Sequence, residues 1–528
     1  MKIPRPILLA LILLSLLGAT AIILSTRWDP WAYSDSTTYI VAARSVLKGD
    51  GLNVVAHPGS VERLIHHPPL YPLLLSAIGC CGIELLDAAR WLNVILFGAT
   101  IFATGAFSYR LLRSGWLAIS LGILLFAIPT LLDMFSGTMS EPLFLFASLT
   151  GTFLIVLFLE TKQRRILVLA ALAAGLAFLT RYIGIFAIAT GLLALLLLNR
   201  TIWKERWLNL LLYGLVSLVP NVAWWVSVYL STTTYAAREL GVQTSLGSAL
   251  IELRLLLVEV FWQWLPFTHS QTYSYNSTLR LLLLLGLLCL FPLGLVVIKW
   301  WKDRRVTALY RKELSFFVTW GVFSLAYFVF LAYAYLYTTP IPDIDLRMLL
   351  PLQIGLLITL SSGSLLVLKA LHIPAWGSLG VLGLVLLYLG AFLPASTSLI
   401  REYFLHGRGY TSTAWHESNT LEALNKLPPD TPLITNQAAA VLLWTDRPAY
   451  DFCSLPCDQP GNVRYGDNPT DETQVIFRQQ GAALVLFYPF CAPRDVLWNV
   501  EWMAEIEALT RDLTIYEYSC DGAIYFYP

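Results

Sequence analysis

The chain has 528 residues, of which 57% are hydrophobic and only 13% are charged. Soluble domains carry about 25% charged residues, so this composition excludes an ordinary soluble protein. The formal net charge of +1 also argues against a nucleic-acid partner, which requires a concentrated basic surface. Repeated apolar runs separated by short basic segments predict an all-α protein that crosses a membrane many times.

The first apolar run, residues 7–24, follows Lys2 and Arg5. A signal peptide begins in the same way, and residues 18–21 resemble a cleavage site. The run is about 18 residues long, which is closer to a spanning helix than to the shorter apolar core of a signal peptide. We therefore expect it to be the first transmembrane helix.

Hydropathy predicts about eleven transmembrane helices along the first three quarters of the chain. They lie near residues 6–24, 88–109, 115–132, 142–160, 166–180, 183–199, 207–230, 279–299, 314–337, 348–369 and 374–394. Each connection on one side carries at least one Lys or Arg, and the short connections on the other side carry at most one. This asymmetry predicts a cytoplasmic N-terminus and an extracytoplasmic C-terminal region. We expect the membrane to be the plasma (inner) membrane.

Residues 69–83 are apolar but number only about 15, fewer than a spanning helix needs. Counting them as a crossing would invert every later connection and place the basic clusters outside. We therefore expect an interfacial or re-entrant segment here, within a first outer loop of residues 25–87.

The composition becomes globular after Pro394, which predicts two domains: residues 1–394 in the membrane, including the loop 25–87, and a small extracytoplasmic α/β domain at 395–528. Strands are predicted at 432–435, 483–488, 513–519 and 522–527, with a helix at 438–444.

Four cysteines lie in this C-terminal domain, and an even number in an oxidising compartment indicates two disulfides. They are Cys453, Cys457, Cys491 and Cys520. A zinc site is the alternative, disfavoured because no histidine lies near them in the sequence.

The first outer loop contains the most informative polar residue. A helix is predicted to begin at Ser34 and to stop at Gly49, with Asp35 and Tyr39 one turn apart on the same face. Asp35 could simply cap this helix. An ionisable side chain held at a membrane surface is, however, costly unless it is paired, so such a residue indicates a function, and aromatic residues flank this one.

These residues resemble a known family. Asp35-x-x-x-Tyr39, a helix ending in Gly49-Asp50-Gly51, and His67-Pro68-Pro69-Leu70-Tyr71-Pro72 look like the start of the C-type glycosyltransferase superfamily, especially bacterial relatives of protein O-mannosyltransferases and aminoarabinose transferases. The resemblance is strongest through the sixth predicted helix and rests on topology beyond it. It implies an inverting transferase that moves a sugar from a polyprenyl-phosphate carrier to a hydroxyl acceptor (glycan, lipid or protein) outside the cytoplasm, with Asp35 as general base.

Glu141, in Ser140-Glu141-Pro142, is a second catalytic candidate at the start of the fourth predicted helix. An acid at a helix N-terminus is favoured by the helix dipole without any function. The resemblance includes an acid at this place and so implies an active-site role. Glu141 would orient the acceptor or hold a divalent metal with Asp35, although no metal or other cofactor is firmly predicted.

Two arginines at predicted outer helix ends, Arg181 and Arg347, are candidates for binding the departing lipid phosphate. Contact with lipid headgroups is the alternative for both, as is pairing of Arg347 with Asp343 or Asp345.

The remaining candidates for substrate or donor-phosphate binding are loop residues on the same predicted side. They are Tyr39, His66, His67, Tyr71 and Tyr182. A metal site formed by the two histidines is disfavoured, because adjacent side chains point apart in an extended chain.

Two other classes of function remain open. One is a lipid or sugar transporter or flippase, and the other is a non-catalytic protein of envelope assembly. The near absence of charges within the predicted helices disfavours a transporter, whose ionisable residues lie near the middle of the membrane. No glycine-rich phosphate-binding loop is present in the sequence, which disfavours a nucleotide-sugar donor in a soluble nucleotide-binding domain.

Overall fold

The computed structural model describes residues 3–199, 201–232, 239–240, 246–264, 310–339, 344–370, 377–451, 480–488, 510–511 and 513–528. The predicted span at 279–299 and the cysteines at 453, 457 and 491 lie outside these residues.

The helices of the first 200 residues are α1 (Arg5–Ser25), α2 (Ser34–Lys48), α3 (Leu70–Gly79), α4 (Leu85–Leu112), α5 (Gly115–Ala127), α6 (Pro129–Phe135), α7 (Glu141–Thr161), α8 (Arg164–Thr180) and α9 (Ile185–Leu198). Those that follow are α10 (Trp203–Thr232), α11 (Leu246–Gln263), α12 (Arg311–Tyr337), α13 (Leu346–Ala370), α14 (Gly377–His406), α15 (Thr413–His416), α16 (Asn419–Asn425) and α17 (Ala438–Thr445).

The strands are β1 (Asn53–His57), β2 (Ser60–Arg63), β3 (Glu239–Leu240), β4 (Thr338–Thr339), β5 (Leu433–Thr435), β6 (Tyr450–Asp451), β7 (Ala483–Phe487), β8 (Thr514–Ser519) and β9 (Gly522–Phe526). The all-α membrane part with a small C-terminal α/β part is therefore confirmed.

Six helices of the described residues are long and apolar enough to cross a membrane. They are α1, α4, α7, α10, α12 and the Leu350–Ala370 part of α13. The predicted span at 115–132 is instead two helices, α5 and α6, that meet at an angle of 68°. Pro129 explains the break, because proline has no N–H for the helix and disfavours a helical residue before it.

Two other predicted spans are short helices. Helices α8 and α9, at 166–180 and 183–199 in the prediction, have 17 and 14 residues, fewer than the roughly 20 that a spanning helix needs. Helix α3 has only ten residues, in keeping with a segment that does not cross the membrane. The count of eleven crossings stays a prediction, and the chain is a multi-pass membrane protein.

The chain divides into two compact units. The first, called the helical unit below, contains Met1–Ser25, Ile65–Tyr71 and Arg90–Glu402; the second, called the mixed unit, contains Thr26–Leu64, Pro72–Ala89 and Tyr403–Pro528. Helix α14 continues through position 394, where the composition changes, to His406. The division at residue 395 stays a prediction.

The core of the helical unit is aromatic. Trp320 of α12 is completely buried, and its ring lies 4.8 Å from that of Phe153 and 5.1 Å from that of Phe323. Phe186 of α9 continues the cluster, with its ring 4.9 Å from Phe323. Because lipid is as apolar as these side chains, close packing of this kind holds membrane helices together.

The mixed unit contains a five-stranded sheet with the strand order β6-β5-β7-β9-β8. Strands β5, β6 and β7 are parallel, while β9 is antiparallel to both β7 and β8. The predicted strands and the β8–β9 hairpin are thus present, and α17 covers the predicted helix at 438–444. Cys520 is disulfide-bonded.

Candidate active site

The predicted acid Glu141 occupies the first turn of α7 and is 8% exposed. The connection that leads into it is anchored by buried polar side chains of the helical unit. Asn93 of α4 donates to the Gly137 carbonyl over 2.7 Å, and the hydroxyls of Ser25 and Ser136 lie 2.6 Å apart. Buried polar groups bonded in this way define one backbone path, so the position of Glu141 is set by its neighbours.

Glu141 forms an ion pair with Arg181, whose Nη1 lies 2.6 Å from Oε1 of the acid. The same nitrogen lies 3.4 Å from the Ser140 hydroxyl. A short charge-assisted contact between two largely buried groups fixes both side chains. The structure thus joins two residues that the sequence had suggested for separate roles.

Arg181 follows the last residue of α8 and has an extended backbone, with φ −147° and ψ 136°. A single 3-10 turn, Tyr182–Gly184, then leads into α9. A Cβ atom on Gly184 would lie 2.4 Å from the Ala177 carbonyl oxygen, so only glycine allows the chain to turn this closely. This tight turn directs Arg181 toward Glu141.

The second predicted arginine, Arg347, lies in the first turn of α13. Its Nε is 2.6 Å from Oδ2 of Asp345, whose Oδ1 accepts a hydrogen bond from the Met348 N–H. Burial alone would lower the pKa of Arg347, but the neighbouring carboxylates of Asp345, Glu141 and Asp133 outweigh burial and raise it. Arg347 therefore remains a cation, as the candidate role requires. Asp343, the other suggested partner, lies outside the described residues.

Glu141, Arg181 and Arg347 line one small cavity of the helical unit, together with Tyr327. The remaining walls are apolar side chains such as Phe144. Oε2 of Glu141 is buried and has no hydrogen-bond partner among the residues that the structure describes. A buried charged oxygen without a donor is costly, so this atom is suited to accept a hydrogen bond from a ligand.

Tyr327 was not suggested by the sequence. It lies in the middle of α12, is 2% exposed, and donates its hydroxyl to the Met348 carbonyl. A tyrosine within an apolar run looks like any other core residue. Only the packing of α12 beside α13 reveals that Tyr327 lines the cavity.

Tyr182 reaches a different segment of the helical unit. Its hydroxyl donates to the Ile65 carbonyl over 3.0 Å and accepts from Trp224 Nε1 over 3.4 Å. The bond to Ile65 holds the backbone directly before His66. His66 itself is exposed, and His67 is half-buried.

Tyr71, the other candidate of this segment, is completely buried at the start of α3. Its role in substrate binding stays a prediction.

Asp35 and Tyr39 belong to the mixed unit, on helix α2. The predicted start at Ser34 and stop at Gly49 are both present, and Gly49 adopts the left-handed φ of 88° that ends a helix. Asp35 is exposed in the first turn, whereas Tyr39 is only 1% exposed. Asp35 is thus accessible to solvent or ligand, whereas the Tyr39 side chain is buried, and a substrate-binding role for Tyr39 stays a prediction.

Metal binding was the open question for this site. Among the described residues, no group of three His, Cys, Asp or Glu side chains is placed so that it could hold a metal ion.

Residues 66–224 match the model of a family described as dolichyl-phosphate-mannose-protein mannosyltransferase. The matched stretch includes Glu141 and Arg181 but neither Asp35 nor Arg347. No curated protein matches the chain.

Solved structures share the fold. Crystal structures of ArnT from Cupriavidus metallidurans, in the apo state and bound to undecaprenyl phosphate, are 15% identical to this chain, with a TM-score of 0.56 and coverage of 97% of each chain. The archaeal oligosaccharyltransferase AglB from Archaeoglobus fulgidus, in complex with an inhibitory peptide and a dolichol-phosphate, is 13% identical, with a TM-score of 0.49 and coverage of 91% of this chain and 69% of its own. The likeness to ArnT shows that this chain has the same fold.

Proposed function

We propose that this chain is a C-type membrane glycosyltransferase that transfers a sugar from a polyprenyl-phosphate carrier to a hydroxyl acceptor on the extracytoplasmic side of the membrane. The family match over residues 66–224 and the fold shared with ArnT support the proposal. The observation that carries the proposal is the cavity of the helical unit, where two arginines accompany a buried carboxylate, one oxygen of which has no hydrogen-bond partner among the described residues. The undecaprenyl phosphate bound to ArnT supports a donor of the same chemical kind.

Arg181 and Arg347 stabilise the negative charge that grows on the phosphate as the bond to the sugar breaks. A guanidinium carries five N–H donors in one plane, so it can bind a carboxylate and a phosphate at the same time. The short bonds to Glu141 and Asp345 hold the two guanidiniums in place before the donor arrives. Donors that are positioned in advance stabilise developing charge without further reorganisation.

Glu141 orients a hydroxyl group. Its Oε1 is occupied by Arg181, while Oε2 has no partner among the described residues. A carboxylate oxygen accepts readily from an O–H group, and a sugar or acceptor hydroxyl satisfies an atom that is otherwise buried at a cost.

Asp35 acts as the general base. Its carboxylate is exposed in the first turn of α2 and removes the proton of the acceptor hydroxyl as the hydroxyl oxygen attacks the anomeric carbon. The C–O bond to the phosphate breaks on the opposite face, so the configuration inverts. The lipid phosphate leaves with the bonding electrons, and Asp35 keeps the proton until solvent removes it.

The test uses purified full-length protein in lipid nanodiscs, supplied with polyprenyl-phosphate sugars and an envelope extract as the source of acceptors. We expect wild-type protein to release polyprenyl phosphate and the Asp35→Asn variant to lose about 10²–10⁴-fold in rate, the usual contribution of a general base. Asp50→Asn is the matched control, because Asp50 is an exposed carboxylate just after the same helix. Equal rates for wild type and Asp35→Asn would refute the role of Asp35, and binding of the lipid without release would indicate a transporter.

A further inference from the structure

The backbone directly before Asp35 is paired with a segment from the other end of the chain, within the mixed unit. Ala32 forms a bridge with Gly409, and the Tyr410 N–H donates to the Ala32 carbonyl over 2.9 Å. The Thr411 hydroxyl donates to the Pro30 carbonyl over 3.0 Å. The chain that leads into α2 is therefore held by residues 409–411.

Glycine is required for this pairing. Gly409 has a φ of +63°, and a Cβ atom there would lie 2.3 Å from the Ala32 carbonyl oxygen. No other residue allows the two segments to approach this closely.

Arg408 lies at the centre of this contact. Its Nε donates to the Tyr33 hydroxyl over 3.3 Å, and its Nη1 donates to the Tyr403 hydroxyl. The guanidinium also lies 5.6 Å from the centre of the Trp31 ring and 5.6 Å from that of Tyr403. A planar guanidinium can donate in two directions and lie over aromatic rings at once, which a lysine cannot do.

The residue that Arg408 holds is the N-cap of the helix that carries Asp35. Tyr33 precedes the first residue of α2, and its N–H donates to the Ser36 hydroxyl over 3.1 Å. Asp35 follows two residues later in the first turn. A shift of Tyr33 therefore moves the start of the helix, and the carboxylate with it.

The rest of α2 is held independently of Arg408. Arg44 donates to the carbonyls of Leu442 and Leu443 over 3.2 and 2.9 Å, at the end of α17. Lys48 pairs with Asp446 over 2.8 Å. These bonds keep α2 attached to the mixed unit when the contact at its N-terminus is loosened.

From this geometry we propose that Arg408 is a positioning residue for the reaction: it fixes the N-terminus of α2 so that the Asp35 carboxylate is in place to take the acceptor proton. The inference rests on the proposed function of Asp35. It gives the C-terminal part of the chain an indirect role in catalysis, through the position of Asp35.

Arg408→Gln tests the proposal in the nanodisc assay. A misplacement of about 1 Å costs up to about 10²-fold in rate, so we expect kcat per folded molecule to fall tenfold or more, with KM for the polyprenyl-phosphate sugar unchanged within about twofold. Tyr33→Phe removes the hydroxyl that accepts from Arg408 and keeps the ring, so it should also lower kcat, but by less than Arg408→Gln does. If Arg408→Gln folds poorly, Tyr33→Phe tests the same contact.

Arg447→Gln is the matched control, because Arg447 donates to four backbone carbonyls at residues 424–431 of the same unit. We expect this variant to lose stability and to keep its kcat per folded molecule. A kcat loss equal to that of Arg408→Gln would show that general loosening of the unit explains the effect, and would overturn the proposal.

Combining Arg408→Gln with Asp35→Asn separates positioning from a purely structural role. Once the base is removed its placement no longer matters, so the double variant should retain the residual rate of Asp35→Asn. The same fold-loss in both backgrounds, or an unchanged kcat in Arg408→Gln alone, would overturn the role of Arg408. A wild-type rate in Asp35→Asn would instead refute the proposed function.

Discussion

The ion pair between Glu141 and Arg181 leads to the sharpest prediction about stability. Its side chains are 10% and 24% exposed, and the atoms are 2.6 Å apart. Arg181→Met removes the cation and leaves the buried carboxylate without its closest partner. Removing one member of a buried pair costs about 3–5 kcal/mol, and we expect about 3 kcal/mol because Arg347 supplies part of the missing charge.

The double variant Glu141→Gln/Arg181→Met removes both charges, so it should recover most of that stability while remaining inactive. Thermal unfolding in detergent, followed by the fluorescence of the 18 tryptophans, gives the order of melting temperatures. We expect wild type to melt highest, the double variant next and Arg181→Met lowest. A double variant that melts below or together with Arg181→Met would refute the assignment of the pair as a buried, mutually dependent unit.

Three further predictions concern the mixed unit. Cys80 and Cys81 are free and exposed. If the first loop is extracytoplasmic, a membrane-impermeant maleimide should label them in intact spheroplasts. Labelling only after lysis would contradict the predicted orientation. Gly49→Ala should lower the free energy of unfolding by about 1–2 kcal/mol, because Gly49 has a φ of +88° and nothing within 4 Å for a methyl group to contact; an unchanged melting temperature would contradict this. Burial raises the pKa of Asp521, but hydrogen bonds from two serine hydroxyls outweigh burial and lower that pKa in the folded protein. The Asp521 carboxylate therefore stabilises the fold above about pH 4, and this stabilisation is lost as the pH falls through the pKa of Asp521 in the folded protein. Asp521→Asn should therefore weaken the acid dependence of unfolding, and an identical pH profile would exclude this contribution.

Much of the fold could be predicted from the sequence because apolar length and turn residues are local signals. The helix from Ser34 to Gly49 and the β8–β9 hairpin appear where their residue types indicate. The bend between α5 and α6 was missed, although Pro129 was its signal within an otherwise uniform apolar run. Hydropathy averages over a window, so it does not report a single broken hydrogen bond.

The candidate site was predictable in its parts but not in its arrangement. Glu141 and Arg181 stood out as charges at the ends of apolar helices, but nothing local indicates that residues 40 positions apart form a pair. Tyr327 carried no signal at all, and neither did Arg408, whose partners lie near the opposite end of the chain. Such contacts depend on tertiary packing, which a single sequence does not specify.

The central claim is transfer of a sugar from a lipid phosphate with Asp35 as the base. Its most direct test is mass spectrometry of envelope glycolipids, glycans and glycoproteins from a deletion strain. The strain is complemented with either the wild-type protein or Asp35→Asn, expressed at equal levels. The account predicts that one sugar addition is restored by the wild type and absent with the variant. Restoration of that sugar by both proteins would contradict it.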